Sequence, residues 1–521
     1  MKRILLVFLA LIFIVSTFAA CGDGAAKTTP KASQSTPKKD VTPGGDDVPE
    51  EEKLNIDIDS IDYESETVHI VHWVAGNGDA YNEFGMEEES INNDAVNDAI
   101  YKRNLYTEQA LGITLDFYGI TKSNYVNVPN FINKLTSRKS DPMTPIDIIA
   151  SQGRVMPYVI LEGFLTELNT YSDSLDLDKV WWPENCREAC EIKSNLYYVS
   201  GDISANLLRS MIVLFMNKKT LQSLGYEYET FMEQIKAYDW TLDDLIAMTE
   251  NCYQDANTAV AGPSDGDKFG LVTLYYLSDA LFEGIGYRYL VPSNKDNEVF
   301  RLSNQMATQA VDTYVTKLKD WKESNNFHMP YNEGYYQDIF KNGDSLFLLD
   351  YAWIGFELQK TEIEYAAIPA PALDEAQGRY YTTCGGGFTV YGICDSSVDY
   401  DRSAQTLQLL GYYGYQTTTP AIFEVSFKGK FAKDDYAIQM FDIIRESLIF
   451  DVGKIYDSFI AEVTTGGEEE RRYIIPNVVS MAVRDDLVWA TEFSPSGKQK
   501  FIRGQIDNAN KKLIDFINAN S

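Results

Sequence analysis

Several sets of residues in this 521-residue chain have types and spacings that chemistry could use. His69 and His72 are two of only three histidines. Their odd spacing puts them on opposite faces of a strand, so they cannot share a metal ion. Asp255 and Asn257, with Asp265 and Asp267 after them, begin like a calcium loop, but the twelfth position is Gly266 where a bidentate Glu is needed. Gly385-Gly386-Gly387 follows an apolar stretch yet lacks the lysine of a phosphate loop. It reads instead as a place where backbone is approached closely, near a hinge. Cys186, Cys190, Cys252, Cys384 and Cys394 contain no C-x-x-C, which excludes a zinc ribbon, and they read as buried free thiols. A glycosidase needs two facing carboxylates. With 77 Asp and Glu every spacing arises by chance, so paired acids carry no signal. No serine-hydrolase elbow, H-E-x-x-H, Walker or dinucleotide pattern occurs. The expectation is a chain with no catalytic residues, no metal and no cofactor.

The elements around these residues alternate. Residues 67–74 form an apolar strand, followed by a polar loop at 75–82 with Asn77 and Asp79. Residues 93–111 read as a helix stopped by Gly112, and 113–118 as a second strand. A helix containing residues 131–135 and a third strand at 146–150 follow, closing on Ser151-Gln152-Gly153-Arg154. Apolar strands separated by helices predict a parallel sheet covered on both faces. Ligands of such sheets sit at the carboxyl ends of the strands, so loops 75–82 and 150–154 are the first places to look for a site. Further strands are expected at 196–199, 212–219, 269–274, 345–349 and 388–391. A helix opening at Trp240-Thr241 should be capped by Thr241, with Asp243 and Asp244 complementing its dipole. An amphipathic helix at about 496–517 ends the chain.

The order of several motifs resembles an extracellular solute-binding protein of the carbohydrate type, the receptor component of an ABC importer. His72-Trp73 through Asn82 is similar to the first-strand loop of the maltose/maltodextrin-binding proteins. Met216-Asn217-Lys218 resembles the Tyr-Asn-Lys that begins their second lobe. Trp240-Thr241-Leu242-Asp243-Asp244-Leu245 matches a Trp-Thr-x-Asp/Glu-x-Leu helix start, and residues 343–353 resemble the segment whose Trp stacks on sugar. The resemblance covers roughly residues 67–425 and the final helix; residues 427–476 have no parallel in it. It implies an α/β, two-lobed periplasmic-binding-protein-like fold, each lobe a mostly parallel sheet flanked by helices, with a ligand cleft at the hinge. Lobe one would comprise 67–200 and 366–418, lobe two 206–362 and 420–521. Sugars present an apolar C–H face and a rim of hydroxyls, so their sites combine flat aromatics with amide and charged groups. On that basis the ligand-binding candidates are Trp353, Tyr351, Asn77, Asp79, Gln152, Arg154, Tyr276 and Trp182. At most one ring of the Trp181-Trp182 pair should face the ligand, and Trp240 reads as structural. A peptide or polyol receptor, a secreted carbohydrate-active enzyme and an adhesive surface protein are the alternatives.

Composition and the N-terminus set the surroundings. The net charge of −32 excludes a nucleic-acid or anionic-membrane surface that depends on basic patches. Lys2-Arg3, an apolar run over 4–15 and Phe18-Ala19-Ala20-Cys21 read as a signal peptide (1–20) ending in a lipobox, with Cys21 as the lipidated residue. Residues 21–66, rich in Pro, Thr, Ser and charge, read as a disordered tether. The expected protein is a monomer anchored by lipid on the extracellular face of a bacterial membrane. Its expected partners are a small-molecule carbohydrate and separate ABC permease subunits.

Overall fold

Continuous apolar runs become the strands of two sheets in the computed structural model, which describes residues 52–74, 83–85, 95–121, 127–260, 262–306, 308–330, 335–428, 435–456 and 499–520. All of these belong to the unit Asp47–Ser521. The sheet strands are β1 (Glu66–Val74), β2 (Ile113–Thr121), β3 (Ile148–Gln152), β4 (Ile212–Asn217), β5 (Phe269–Thr273), β6 (Phe327–His328), β7 (Ser345–Tyr351), β8 (Tyr365–Ile368) and β9 (Thr389–Ile393).

The first sheet has the order β9-β3-β1-β2. β1 runs parallel to β2, with Glu66 opposite Ile113, and parallel to β3, with Ile70 opposite Ile148. β9 closes the edge antiparallel to β3. Val68, Ile70, Val71, Ile148 and Ile149 are fully buried, as strands covered on both faces require. Helices Ala95–Leu111 and Tyr400–Tyr413 pack together beside this sheet. Gly112 ends the first of them with φ +64°, a left-handed turn that costs glycine nothing.

The second sheet has the order β6-β5-β7-β4-β8. β5 is parallel to β6 and β7, whereas β4 is antiparallel to both β7 and β8. A mostly parallel sheet was expected here; the structure gives a mixed one. The reason is connectivity: β4 enters from the first lobe rather than from a crossover helix, and nothing obliges it to run with β7.

Several boundaries move. Residues 366–368, expected in lobe one, are hydrogen-bonded into the second sheet as β8. The strand expected over 212–219 stops at Asn217, whose side chain accepts from the Thr220 N–H and caps helix Lys218–Ser223. Of the strand expected over 196–199, only Asn195–Leu196 pairs regularly, with Glu191–Ile192, and Val199 forms one bridge to Tyr391. The final helix spans Gln499–Asn520. Its Asn510 bonds to the backbone of Val299 and Phe300, while its Phe516 ring meets Tyr197 edge-on, so it touches both lobes. Within the stretch that has no counterpart in the resemblance, Leu448–Ile449 pairs with Thr382–Thr383.

The helix start read from Trp240-Thr241 forms as expected. Helix Leu242–Thr249 carries a capping box in which Thr241 Oγ1 accepts from the Asp244 N–H and Asp244 accepts from the Thr241 N–H. Thr241→Ala leaves one orphan donor in the first turn. It should cost ~1 kcal/mol of stability, read as a lower urea midpoint with unchanged slope.

Candidate functional site

Two chain segments connect the sheets. One runs from Val199, bridged to Tyr391, to the start of β4 at Ile212; the other runs from the end of β8 at Ile368 to the start of β9 at Thr389. They meet directly before β4, where Met211 bridges Cys384 and the Gly385 N–H donates to the Ser210 carbonyl at 2.8 Å. The first segment is fixed to lobe one by a buried cluster. Glu83 accepts from Ser204 Oγ at 2.7 Å and from the Ala205 N–H at 3.0 Å, while Arg103 donates to the carbonyls of Ile203 and Glu83. Cys384 and the other four described cysteines are buried free thiols.

Both sheets send a strand end to this meeting point. β3 ends at Gln152, opposite Thr389, and the next turn presents Arg154; the two residues are 5% and 8% exposed. A Cβ on Gly386 would lie 2.7 Å from the Arg154 Cζ, so the guanidinium lies directly on the bare backbone. β7 ends at Tyr351, and a Cβ on Gly385 would overlap its ring. The glycines expected to permit a close approach thus admit an arginine from lobe one and a tyrosine from lobe two. Burial pushes the Tyr351 phenol up, Asp350 adds to the rise, and the Arg154 charge opposes it.

Trp353 follows in the turn Ala352–Ile354. It is the half-buried member among the described tryptophans; Trp73, Trp181, Trp182, Trp240 and Trp321 are all at most 6% exposed. Four of those five have indole N–H partners inside the fold: Thr389 for Trp73, Gln408 for Trp182, the Pro369 carbonyl for Trp240 and Thr249 for Trp321. Trp182 must therefore be corrected. It is 3% exposed, wedged against Gly201 and Gly411, and serves the core of lobe one rather than a ligand; its neighbour Trp181 is buried too. Trp240 is structural, as its helix-start position implied. Tyr276 is half-buried in the turn Tyr275–Ser278 after β5, its ring edge-on to Tyr275 at 5.3 Å. Asn77, Asp79 and Cys21 lie outside the described residues.

The sequence reading missed Asp350. Fully buried, it accepts from Tyr336 Oη at 2.9 Å, Gln337 Nε2 at 2.8 Å and the Tyr351 N–H at 2.7 Å. A lone carboxylate inside Ser345-Leu-Phe-Leu-Leu-Asp-Tyr351 was the available signal, since a buried charge needs partners. The calcium-like loop has a different explanation. Asp267, 1% exposed, accepts from the N–H groups of Ala256 and Ser264 and from the Tyr253 hydroxyl, so it organises its own loop. A cavity of about 760 Å³ opens elsewhere, between helices Leu242–Thr249 and Ala310–Glu323 beside Asn326, at the amino ends of β5 and β6. Trp321 lines it, but none of Gln152, Arg154, Tyr276, Asp350, Tyr351 and Trp353 does.

Two sheets joined by paired crossing segments, with strand ends from each converging between them, define a two-lobed periplasmic-binding-protein-like fold. The chain matches the family described as bacterial extracellular solute-binding protein over residues 89–397, and it belongs to that family. It is thus a solute-binding protein by family rather than an enzyme. Among solved structures it is similar to a cyclo/maltodextrin-binding protein complexed with maltotetraose, at 13% identity and a TM-score of 0.50, covering 87% of this chain and 98% of that one. It is also similar to maltose-bound MalE3 of T. maritima (15% identity, TM-score 0.48, 86% and 99% covered). A third is the ABC substrate-binding protein Lmo0181 of Listeria monocytogenes in complex with cycloalternan (14% identity, TM-score 0.46, 86% and 98% covered). At these identities the likeness concerns the fold alone. Comparison with curated protein sequences finds no match.

The glycine strip makes a direct prediction. Gly385→Ala forces the Tyr351 ring aside and should cost ~1–3 kcal/mol by overpacking. Gly387→Ala, whose Cβ would meet nothing within 4 Å, should be neutral. Urea melts of the two variants, with near-ultraviolet circular dichroism to follow Tyr351, compare them.

Proposed function

We propose that this solute-binding protein is a lipid-anchored surface receptor that takes a carbohydrate between its lobes and hands it to a separate ABC permease. The observation that carries the reading is Trp353. It is the half-buried indole among the described tryptophans, placed just past the carboxyl end of β7 beside Tyr351. A flat apolar ring at the mouth of a cleft suits the C–H face of a sugar, and Gln152 and Arg154 across the glycine strip suit its hydroxyl rim. A solved protein of similar fold is complexed with maltotetraose, a saccharide, which agrees with this assignment.

The anchor rests on the Phe-Ala-Ala-Cys ending at Cys21 and on the Pro-, Thr- and Ser-rich stretch behind it. Among the described residues no helix is long and apolar enough to cross a membrane; in this reading the permease is a separate chain. The receptor acts as a monomer in this reading, with Asn77 and Asp79 adding polar contacts from the β1 loop.

A thermal-shift screen against mono- and oligosaccharides, polyols and peptides tests the ligand class, because a ligand bound only by the folded state raises the midpoint. Sugars should raise it; a response to peptides alone would replace this reading with a peptide receptor. Trp353→Ala should weaken the sugar that binds by roughly tenfold to a hundredfold, from the loss of a stacking contact of ~1–3 kcal/mol. The unliganded midpoint should fall far less than for truncation of a core tryptophan, ~3–5 kcal/mol. Separately, Cys21→Ala should release the protein from the cell surface or leave it unprocessed; a mature protein that starts elsewhere and carries no lipid refutes the anchor.

A further inference from the structure

We propose that Asp350 is the positioning residue of the second lobe's half of the site, holding Tyr351 and Trp353 in their binding geometry. This rests on the carbohydrate-cleft reading for its consequence, though its structural core does not. Asp350 lies at the penultimate position of β7, directly before the aromatic pair. One carboxylate oxygen accepts from the Tyr351 N–H; the other accepts from Tyr336 and Gln337, in the first turn of helix Tyr335–Lys341. Gln337 Nε2 also donates to Tyr336 Oη at 3.1 Å, so the three side chains form one network. Tyr276 stands near enough to Tyr336 to influence its ionisation. The carboxylate thus ties the strand end that bears Tyr351 to a helix, and through Tyr336 it reaches the turn that bears Tyr276. No other side chain bonds this helix start to the strand end among the contacts described above.

The same burial gives the network an acid response. It pushes the Asp350 carboxyl up to about 6, against the hydrogen bonds from Gln337, Tyr351 and Tyr336 and the charge of Lys341. The groups around it are the phenols of Tyr336 and Tyr351, with Tyr276 beyond, and Lys341, which lies 3.8 Å from Asp338. Opposite on β4 is Val213, and on β5 Thr273 stands opposite Leu349; neither titrates. Above the folded pKa the carboxylate accepts all three bonds. Below it, the proton makes one oxygen a hydroxyl that donates and accepts more weakly, so the bonds from Tyr336, Gln337 and Tyr351 weaken or rearrange. The raised pKa also means that ionisation disfavours the fold: the stability contributed by the protonated form is present at low pH and lost as pH rises through about 6. Acid should therefore loosen the aromatic platform without unfolding the lobe through this group, which separates positioning from simple stability.

The test uses the purified protein without its lipid. Acrylamide quenching of Trp353, isolated as the difference from Trp353→Phe, is followed between about pH 5 and pH 8. Wild type should show a transition near pH 6 with greater quenching on the acid side, and Asp350→Asn should abolish it. Tyr336→Phe, which deletes one donor and keeps the shape, should raise quenching at neutral pH. For the sugar selected by the thermal screen, Asp350→Asn should weaken affinity at neutral pH on the order of tenfold and flatten its pH dependence. Glu283, pushed up to about 7 by burial, titrates in the same window and remains in both proteins, so the difference isolates Asp350. A Trp353 transition that survives Asp350→Asn overturns the proposal, as does a variant whose only change is a lower midpoint at every pH. If no sugar binds, the carbohydrate reading fails, while the ligand-free quenching profile still decides the role of Asp350.

Discussion

The close approach of the two crossing segments is the contact on which the site depends. With the Gly385 N–H on the Ser210 carbonyl and Met211 bridged to Cys384, the lobes are joined through a narrow strip of paired backbone. A side chain at 385 or 386 would occupy the volume that the Tyr351 ring and the Arg154 guanidinium now fill. Bare backbone is thus what lets one residue from each lobe reach the same few ångströms. The crossing segments and the candidate site are built from the same residues.

Buried charge holds this arrangement at its margins. Glu83 and Arg103 clamp the start of the first crossing segment, and Arg445 pairs with Asp202 within it. Lys454 bonds to Glu283 at 2.6 Å and to Thr383 of the second segment at 3.1 Å. Removing one partner of a buried pair leaves an uncompensated charge, a loss of ~3–5 kcal/mol. Such pairs specify where the crossings lie more than they add to stability. The partners come from residues far apart in sequence, including helix Asp435–Glu446 and the turn after it, so the stretch without a counterpart in the family resemblance is structurally part of the hinge.

The tryptophans divide by the same logic. An indole N–H that finds Gln408, Thr249 or a carbonyl inside the fold anchors a core, and the ring then packs on all sides. Trp353 stands in the turn just past a strand end, half-buried against the core. Its exposure follows from that position rather than from its residue type.

The sequence by itself determined the α/β class, the parallel core of the first sheet, the capped helix at Thr241 and the family, because those depend on local periodicity, end signals and motif order over short spans. It also pointed to the glycine triplet and to the strand ends where Gln152, Arg154, Tyr351 and Trp353 fall. Only the tertiary structure decided that β8 joins the second sheet, that Trp182 is core and that Asp350 is saturated by three donors. The fate of an indole in a Trp-Trp pair depends on Gln408, 226 positions from Trp182, and the partners of the buried Asp350 include Gln337 and Tyr336, 13 and 14 positions back on a separate helix. No local pattern encodes which distant group will supply the missing hydrogen bond; that is settled when the chain closes on itself and every buried polar atom must find a partner.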